Sequence, residues 1–179
     1  MCTEKRINPR NIKILVSFVA VVMFAFTPFT DASAKCWDFM RPCPFLKGIG
    51  GIFIKAEASP EARIIGLSED ALRNMAVVAL RSRLPRIQVD PKPNNYILHI
   101  SLNMVKSRWG SEIIGFATNV SVELYGRGVL DGVSTLALYW GGDTLGYYGI
   151  HKARQAIGEG LENHITSFAS KWYEANPGK

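Results

Sequence analysis

Apolar and polar residues alternate along two successive segments, and this alternation constrains the fold more than any other feature of the chain. The segments cover residues 96–106 and 112–125. Successive side chains of a strand point to opposite faces, so each segment predicts a strand with one apolar and one polar face. Two such strands indicate a sheet that has one face on the core and one face in water. The apolar sets are Tyr96, Leu98, Ile100, Leu102 and Met104, and then Phe116, Thr118, Val120, Val122 and Leu124.

Two other segments have the 3.6-residue period of amphipathic helices. The first follows Ser68, a residue type favoured at the N-cap, and it ends at Pro85. The second covers residues 150–174, where Gly158 and Gly160 predict a close contact between this helix and the sheet. The apolar stripes are Leu72, Met75, Ala76, Ala79, Leu80 and Leu84 in the first helix, and Ala153, Ile157, Leu161, Ile165, Phe168, Ala169 and Trp172 in the second.

Shorter segments complete the predicted order β-α-β-β-β-β-α. Residues 49–58, 87–90 and 134–140 read as strands, and residues 144–148 as a short returning arm of a hairpin. Glycine-rich segments at 126–128, 131–132 and 141–143 predict turns or a bulge, and residues 107–111 predict a loop with Trp109 near its tip. The fold class is therefore α+β, a two-layer sandwich of a mostly antiparallel, twisted sheet of four to five strands with two helices on one face.

The N-terminus has the pattern of a secretory signal peptide. A basic segment precedes an uncharged run at residues 14–26, and Ala32-Ser33-Ala34 follows as a small-residue cleavage site. The run is shorter than the roughly 20 residues that cross a bilayer, which favours cleavage over permanent anchoring. We expect residues 1–34 to be removed, residues 35–48 to form an N-terminal segment, and residues 49–179 to form one domain. The predicted location is the periplasm, and the alternative is anchoring to the inner membrane by an uncleaved segment.

Cys36 and Cys43 remain after cleavage, and Cys2 is lost with the signal peptide. In an oxidising compartment their spacing favours a disulfide bond, which the chain-entropy estimate values at about 2.5 kcal/mol. Redox catalysis prefers a C-x-x-C spacing, and a metal site requires more ligands nearby. Because Lys35 precedes Cys36, where a lipobox has small residues, we do not expect lipidation.

Residues with catalytic chemistry are scattered. His99, His151 and His164 form no spaced metal-binding motif, and no serine or cysteine lies in a nucleophile motif. The sequence therefore predicts a protein that is not an enzyme and has no metal or cofactor. The precursor has a net charge of +6, which falls to about +4 on cleavage, a modest excess that does not indicate a nucleic-acid partner.

Two groups of residues are candidate binding surfaces. Arg81, Arg83, Arg86 and Lys92 could contact an anion, although cations at a helix C-terminus are commonly solvated. Aromatic residues surround the predicted turn at 141–143, and alternation places about half of them in the core. The candidates for a partner surface are Trp109, Tyr147 and Tyr148, and one of the two adjacent tyrosines must face away from the core.

The order of elements resembles small exported bacterial α/β proteins. The residues that carry the resemblance are the helix entry at residues 67–73, the helix end at 80–84 leading into 87–89, the strand end at 138–140 followed by Gly146, and the closing segment 168–177. The architecture is similar to the β-α-β-β-β-α modules of envelope assemblies, such as the N-terminal domain of the TolB protein. The resemblance brings no active site. Export, one compact α+β domain, the lack of a catalytic motif and the candidate aromatic surfaces favour a non-enzymatic accessory module of an envelope assembly, with an envelope protein as its partner. The alternative is a periplasmic binder of a small or anionic ligand in a pocket between the sheet and the helices near Arg83 and Arg86. We expect membrane contact only through the signal segment before cleavage.

Overall fold

A computed structural model of the chain describes residues 44–93, 95–130 and 133–178. The predicted signal peptide, Cys36 and Cys43 lie outside the described residues, as do residues 131–132. Within the described ranges, five strands and two α-helices follow the predicted order. The strands are β1 (Gly51–Ala58), β2 (Gln88–Asp90), β3 (Tyr96–Trp109), β4 (Glu112–Leu130) and β5 (Val133–Gly149), and the helices are α1 (Glu69–Arg83) and α2 (Ile150–Ala175). Short 3-10 turns cover Pro44–Leu46 and Pro60–Ile65.

The five strands form one sheet in the order β2-β1-β3-β4-β5. β1 pairs in parallel with β2 and with β3, whereas the β3–β4 and β4–β5 pairs are antiparallel. The sheet is therefore mixed, and the longest strands form its antiparallel part. The parallel pairs follow from α1, which returns the chain to the end of the sheet where β1 begins.

Both helices pack on the same face of this sheet, which we call the inner face. The predicted alternation is confirmed, since Leu98, Ile100 and Leu102 of β3 and Val122 and Leu124 of β4 are buried there. Each helix presents its predicted stripe to the sheet, and the two stripes close the core. The two-layer α+β fold is therefore the one that the hydrophobic pattern predicts.

The chain enters α1 as predicted. The Oγ of Ser68 accepts a hydrogen bond of 3.1 Å from the backbone N–H of Ala71, which satisfies one of the free donors of the first turn. The prediction that Gly158 marks a close contact with the sheet was wrong. A Cβ at that position would lie 3.0 Å from Cε of Met75 in α1, so the close approach is between the two helices.

The predicted hairpin at residues 141–143 does not exist. Gly141, Gly142 and Asp143 pair with residues of β4, and β5 runs without interruption across them. Local composition suggested a turn, but the long partner strand supplies hydrogen bonds along the whole segment. Two neighbouring predictions are corrected for the same reason. The predicted loop at 107–111 shrinks to a turn at Gly110 and Ser111, because β3 extends to Trp109, and β4 passes through residues 126–128 without turning.

A register shift in the β4–β5 pair lies where the sequence suggested only strand. Leu124 pairs with Trp140 and Tyr125 pairs with Leu138, so Tyr139 is an extra residue in β5. The Tyr139 ring covers Gly126, where a Cβ would lie 2.5 Å from its Cε2 atom. Trp140 is buried against Phe168, with ring centroids 5.3 Å apart. The bulge thus allows the consecutive rings of Tyr139 and Trp140 both to contact the core, whereas adjacent side chains of a regular strand point to opposite faces.

Candidate functional site

The face of the sheet opposite the helices is not covered by any described element, and we call it the outer face. Its side chains form rows across the strands, because directly paired residues point to the same side. One such row joins Val105, Ala117 and Tyr147, and another joins His99, Glu123 and Gly141. The rows make the outer face a continuous surface of β1, β3, β4 and β5.

Large apolar side chains are exposed at one end of the outer face. Val105 is 68% exposed and Tyr147 is 55% exposed, and Leu145 lies in the next row of β5. Trp109 is 80% exposed and ends β3 at the same end of the sheet. We call Val105, Trp109, Leu145 and Tyr147 the hairpin patch, because the β3–β4 turn borders it.

The structure separates the two tyrosines that the sequence grouped. Tyr147 points to the outer face, where its ring lies over Gly115 and a Cβ would come within 3.0 Å of the phenol oxygen. Tyr148 is half-buried and packs against the core. Its ring lies over Gly146 on the inner face, so close that no Cβ would fit at position 146. Tyr147 therefore shares the outer face with Val105, and Tyr148 lies on the other side of the sheet. Trp109 ends β3 beyond a register shift between Ser107 and Arg108.

A second apolar area lies at the opposite end of the outer face. Leu136 and Leu138 of β5 are exposed and pair with Arg127 and Tyr125 of β4. Between the two apolar ends the exposed rows are polar, so the outer face has an apolar–polar–apolar banding. The polar residues are Lys55, Glu57, His99, Ser101, Asn103, Asn119, Ser121, Glu123 and Asp143.

The centre of this polar band is a cluster of ionisable groups that spans three strands. Tyr125 donates a hydrogen bond of 2.6 Å from its phenol to Oε2 of Glu123. Nδ1 of His99 lies 3.9 Å from the same carboxylate oxygen, and Nε2 of His99 lies 3.4 Å from Oε2 of Glu57. Nε2 of His99 forms no hydrogen bond within the described residues, and its contact with Glu57 is an ion pair when the imidazole is protonated. Lys55 completes the cluster with an ion pair of 2.6 Å to Oε1 of Glu57.

Two pKa values respond to this arrangement. The hydrogen bond to Glu123, with smaller contributions from burial and from the carboxylate charge, raises the pKa of Tyr125 to about 12. The hydrogen bond and charge of Lys55, followed by the charge of His99, lower the pKa of Glu57. A phenol with so high a pKa is a poor acid or base near neutral pH. The cluster therefore links neighbouring strands and places hydrogen-bonding groups on the outer face.

The sequence did not identify this cluster. It predicted His99 and Glu123 on the polar face of their strands, which the structure confirms. The contact with Glu57 depends on the register between β1 and β3, where Lys55 pairs with His99. The pairing of all the strands in the sheet sets that register, and no local sequence motif indicates it.

The predicted anion-contact residues lie near the C-terminal end of α1 and around β2, and all four are exposed. Arg83 is committed to an ion pair, since its Nη2 lies 3.0 Å from Oε1 of Glu162 in α2. Its carbonyl oxygen also accepts a hydrogen bond of 3.1 Å from the phenol of Tyr173. Arg83 thus links the two helices. Arg81, Arg86 and Lys92 are also exposed, and none of them lines the groove between the two helices.

A groove with a volume of about 450 Å³ lies between the two helices. The sequence placed a pocket between the sheet and the helices, but this groove opens between α1 and α2. Its lining is mainly apolar, with Glu162 as its single charged residue. The lining residues are Asn74, Met75, Val78, Ala79, Ser82, Gly158, Leu161 and Glu162.

Two further properties concern metals and membranes. Across residues 44–93, 95–130 and 133–178, no group of three or more His, Cys, Asp or Glu side chains is arranged to hold a metal ion. None of the helices in the described part of the chain combines the length and the apolarity that crossing a bilayer requires.

No protein-family model and no curated protein matches the sequence. Solved structures that resemble the fold include the following three. A PelC dodecamer from Paraburkholderia phytofirmans is 13% identical with a TM-score of 0.44, and the match covers 67% of this chain and 86% of that one. A minor lipoprotein from Acinetobacter baumannii is 10% identical with a TM-score of 0.34, over 73% of this chain and 93% of that one. Rare lipoprotein B from Shewanella oneidensis is 13% identical with a TM-score of 0.26, over 69% of this chain and 92% of that one.

Two of these three proteins are bacterial lipoproteins, and all three resemble this chain only in general fold. They give no specific support to the similarity with the TolB domain.

Proposed function

We propose that this protein is a non-enzymatic accessory module of a bacterial envelope assembly, which binds a protein partner through the outer face of its sheet. The support comes from the signal-peptide pattern of residues 1–34 and from the surface chemistry of the described domain. Val105, Trp109 and Tyr147 are the residues that we assign to the contact.

The exposed hairpin patch is the observation that carries the proposal. Single exposed apolar residues are normal on a protein, but several on one uncovered sheet face indicate a surface that another molecule covers. Tryptophan and tyrosine are also the residue types that contribute most to protein interfaces. Here Trp109 is 80% exposed, so burial by a partner would remove most of its surface from water.

The polar band favours a protein over a lipid surface as the partner. A membrane would have to desolvate Glu57, His99 and Glu123, which lie beside the apolar ends, without replacing their hydrogen bonds. A protein interface accommodates such groups, because polar contacts and trapped water accompany its apolar core. The cluster then gives the interface orientation, and the hairpin patch gives it most of its affinity.

A matched pair of valines tests the proposal. Val105 on the outer face is 68% exposed, and Val78 on α1 is 69% exposed. Val105→Glu should reduce the amount of envelope partner that a tagged copy captures after crosslinking in living cells, by at least tenfold. Val78→Glu should leave capture unchanged. Equal capture by both variants, with both folded by thermal melting, would exclude the hairpin patch as the contact.

The helix groove supports a second candidate function, the binding of a small and mostly apolar ligand. The volume of about 450 Å³ lies within the range of small-molecule sites. Val78 lines this groove, so the same variants separate the two functions. A ligand in the groove raises the melting temperature of the wild type and of Val105→Glu but not of Val78→Glu.

A further inference from the structure

The two edges of the sheet differ in how well they are protected from pairing with another chain. β2 forms one edge with three residues, and Pro91, Lys92 and Pro93 follow it directly. The part of β1 beyond β2 carries the Lys55–Glu57 ion pair. Proline, charge and short length are the features by which natural sheets block edge-to-edge association.

β5 forms the other edge and lacks those features. It has 17 residues, of which Asp143 is the only charged one, and it contains no Lys, Arg or Pro. Alternate residues of an edge strand direct their N–H and C=O groups away from the sheet. Leu136, Leu138, Leu145 and Tyr147 also leave its outer side apolar. β5 is therefore the edge that is open to strand addition.

Geometry limits which part of β5 can pair in a regular ladder. The bulge at Tyr139 changes which face successive residues point to, and α2 begins at Ile150. The regular segment between these limits is residues 141–149. Two antiparallel copies related by a two-fold axis pair over its full length only when the axis passes beside its central residue, Leu145.

We propose that residues 141–149 of β5 pair antiparallel with the same segment of a second copy of this chain, with Leu145 opposite Leu145. In this register Asp143 of one copy faces Tyr147 of the other, and the phenol can donate a hydrogen bond to the carboxylate. An axis beside Asp143 would instead oppose two carboxylates, which is unfavourable. The contact is self-complementary and closed, as two-fold interfaces are.

A second copy is favoured over a head-to-tail chain of copies because the opposite edge is blocked. Pairing of β5 with β2 or β1 of the next molecule would meet the prolines after Asp90 and the charges of Lys55 and Glu57. The two-fold arrangement uses β5 alone and joins the two outer faces side by side. It goes beyond the proposed function and does not depend on it, since Val105 and Trp109 of the hairpin patch belong to β3 and stay open to an envelope partner.

Cysteine crosslinking tests the register. Residues directly opposite in an antiparallel pair are about 5 Å apart, within the reach of a disulfide. Tyr147 and its counterpart would be offset by four residues, roughly 14 Å along the strands. Mild oxidation of the exported protein should therefore give covalent dimers for Leu145→Cys, and none for Tyr147→Cys or for the wild type. If Tyr147→Cys gives covalent dimers and Leu145→Cys does not, the proposed register is wrong.

Sedimentation equilibrium tests the dimer itself on purified protein without any other partner. The wild type should have twice the monomer mass at about 100 μM, where a micromolar Kd gives mostly dimer. Leu145→Lys places two lysines opposite each other and should weaken the dimer at least tenfold, whereas Leu136→Lys, beyond the bulge, should not. A monomeric wild type would overturn the dimer and leave the envelope partner unaffected. If Val105→Glu stays dimeric but no longer captures the envelope partner, the dimer and the proposed function are independent of each other.

Discussion

The phenol of Tyr125 donates its hydrogen to Oε2 of Glu123, the residue two positions earlier on the same face of β4. The pair lies at the centre of the outer face, beside His99 of β3. Because Glu123 is the acceptor for Tyr125 and lies close to His99, it connects two strands at one oxygen atom.

The Tyr125–Glu123 bond predicts a stability change at alkaline pH. The pKa of Tyr125 in the folded protein is about 12, above the ordinary value of 10.0, so its contribution is complete below pH 10 and is lost as the pH rises through 12. Tyr125→Phe should lower the free energy of unfolding by about 0.5 kcal/mol near neutral pH, because both groups are partly solvated. Urea denaturation of wild type and variant at several pH values measures the difference. A difference that stays constant from pH 9 to 12 would contradict the assignment, and Glu123→Gln should bring the pKa of Tyr125 closer to its ordinary value, because the carboxylate charge is lost while burial remains.

Asn176 ties the start of the described chain to the end of α2. Its Oδ1 accepts a hydrogen bond of 2.9 Å from the N–H of Gly48, and its Nδ2 donates to the carbonyl oxygens of Leu46 and Trp172 at 3.0 and 2.8 Å. Asn176→Ala should cost about 2–3 kcal/mol, because these backbone groups lose a buried partner. The control is Asn103→Ala on the exposed outer face, which should cost less than about 0.5 kcal/mol. Chemical denaturation of both variants compares them, and equal losses would be inconsistent with the anchoring role of Asn176.

The two adjacent tyrosines should differ in their effect on folding. Tyr148→Ser removes a half-buried ring from the inner face and should destabilise the protein by about 2–3 kcal/mol. Tyr147→Ser removes an exposed ring and should change the free energy of unfolding by less than about 0.5 kcal/mol. Thermal melting distinguishes the two. A large loss for Tyr147→Ser would mean that this ring belongs to the core and is no contact for a partner.

The glycines of α2 offer a prediction of opposite sign. Nothing lies within 4 Å of a Cβ at Gly160, so Gly160→Ala should stabilise the protein by about 0.5–1 kcal/mol through helix propensity alone. Gly158→Ala should gain less, since Cε of Met75 lies 3.0 Å from the new carbon and must move. Differential scanning calorimetry of both variants gives the comparison. A larger gain at Gly158 would show that the helices do not approach as closely as described.

The predicted disulfide and cleavage site are tested by mass. The exported protein should begin at Lys35 and should be lighter by two hydrogens than its reduced form, because Cys36 and Cys43 are oxidised. Intact-mass spectrometry before and after reduction measures both. Two free thiols in the untreated protein would rule out the bond, and an intact N-terminus would favour the anchored alternative.

The sequence predicted the core better than it predicted the surface. The period of two in β3 and β4 and the period of 3.6 in the helices follow from burial, so Leu98, Val122 and Ile157 were assigned to the core correctly. Turn composition misled at residues 141–143, because pairing with β4 outweighs the local preference of Gly-Gly-Asp for a turn. The prediction that one tyrosine of the pair faces away from the core was correct, since it requires only alternation.

The surface features that matter most depend on long-range register. Residues as far apart in sequence as Glu57, His99 and Glu123 meet only because β1, β3 and β4 are neighbours. The free edge of β5 likewise follows from the strand order. Residues 133–149 carry a single charge, but only the topology shows that this segment has one strand neighbour.

The most direct test of the proposed function places a photoreactive amino acid at Val105 and, separately, at Val78, in living cells. The two sites are equally exposed but lie on the outer face and on α1, so the local chemistry of the label is matched. We expect a reproducible adduct with an envelope protein from position 105 and none from position 78. An adduct from position 78 alone, or from neither position, would contradict the claim that the outer face of the sheet binds a partner.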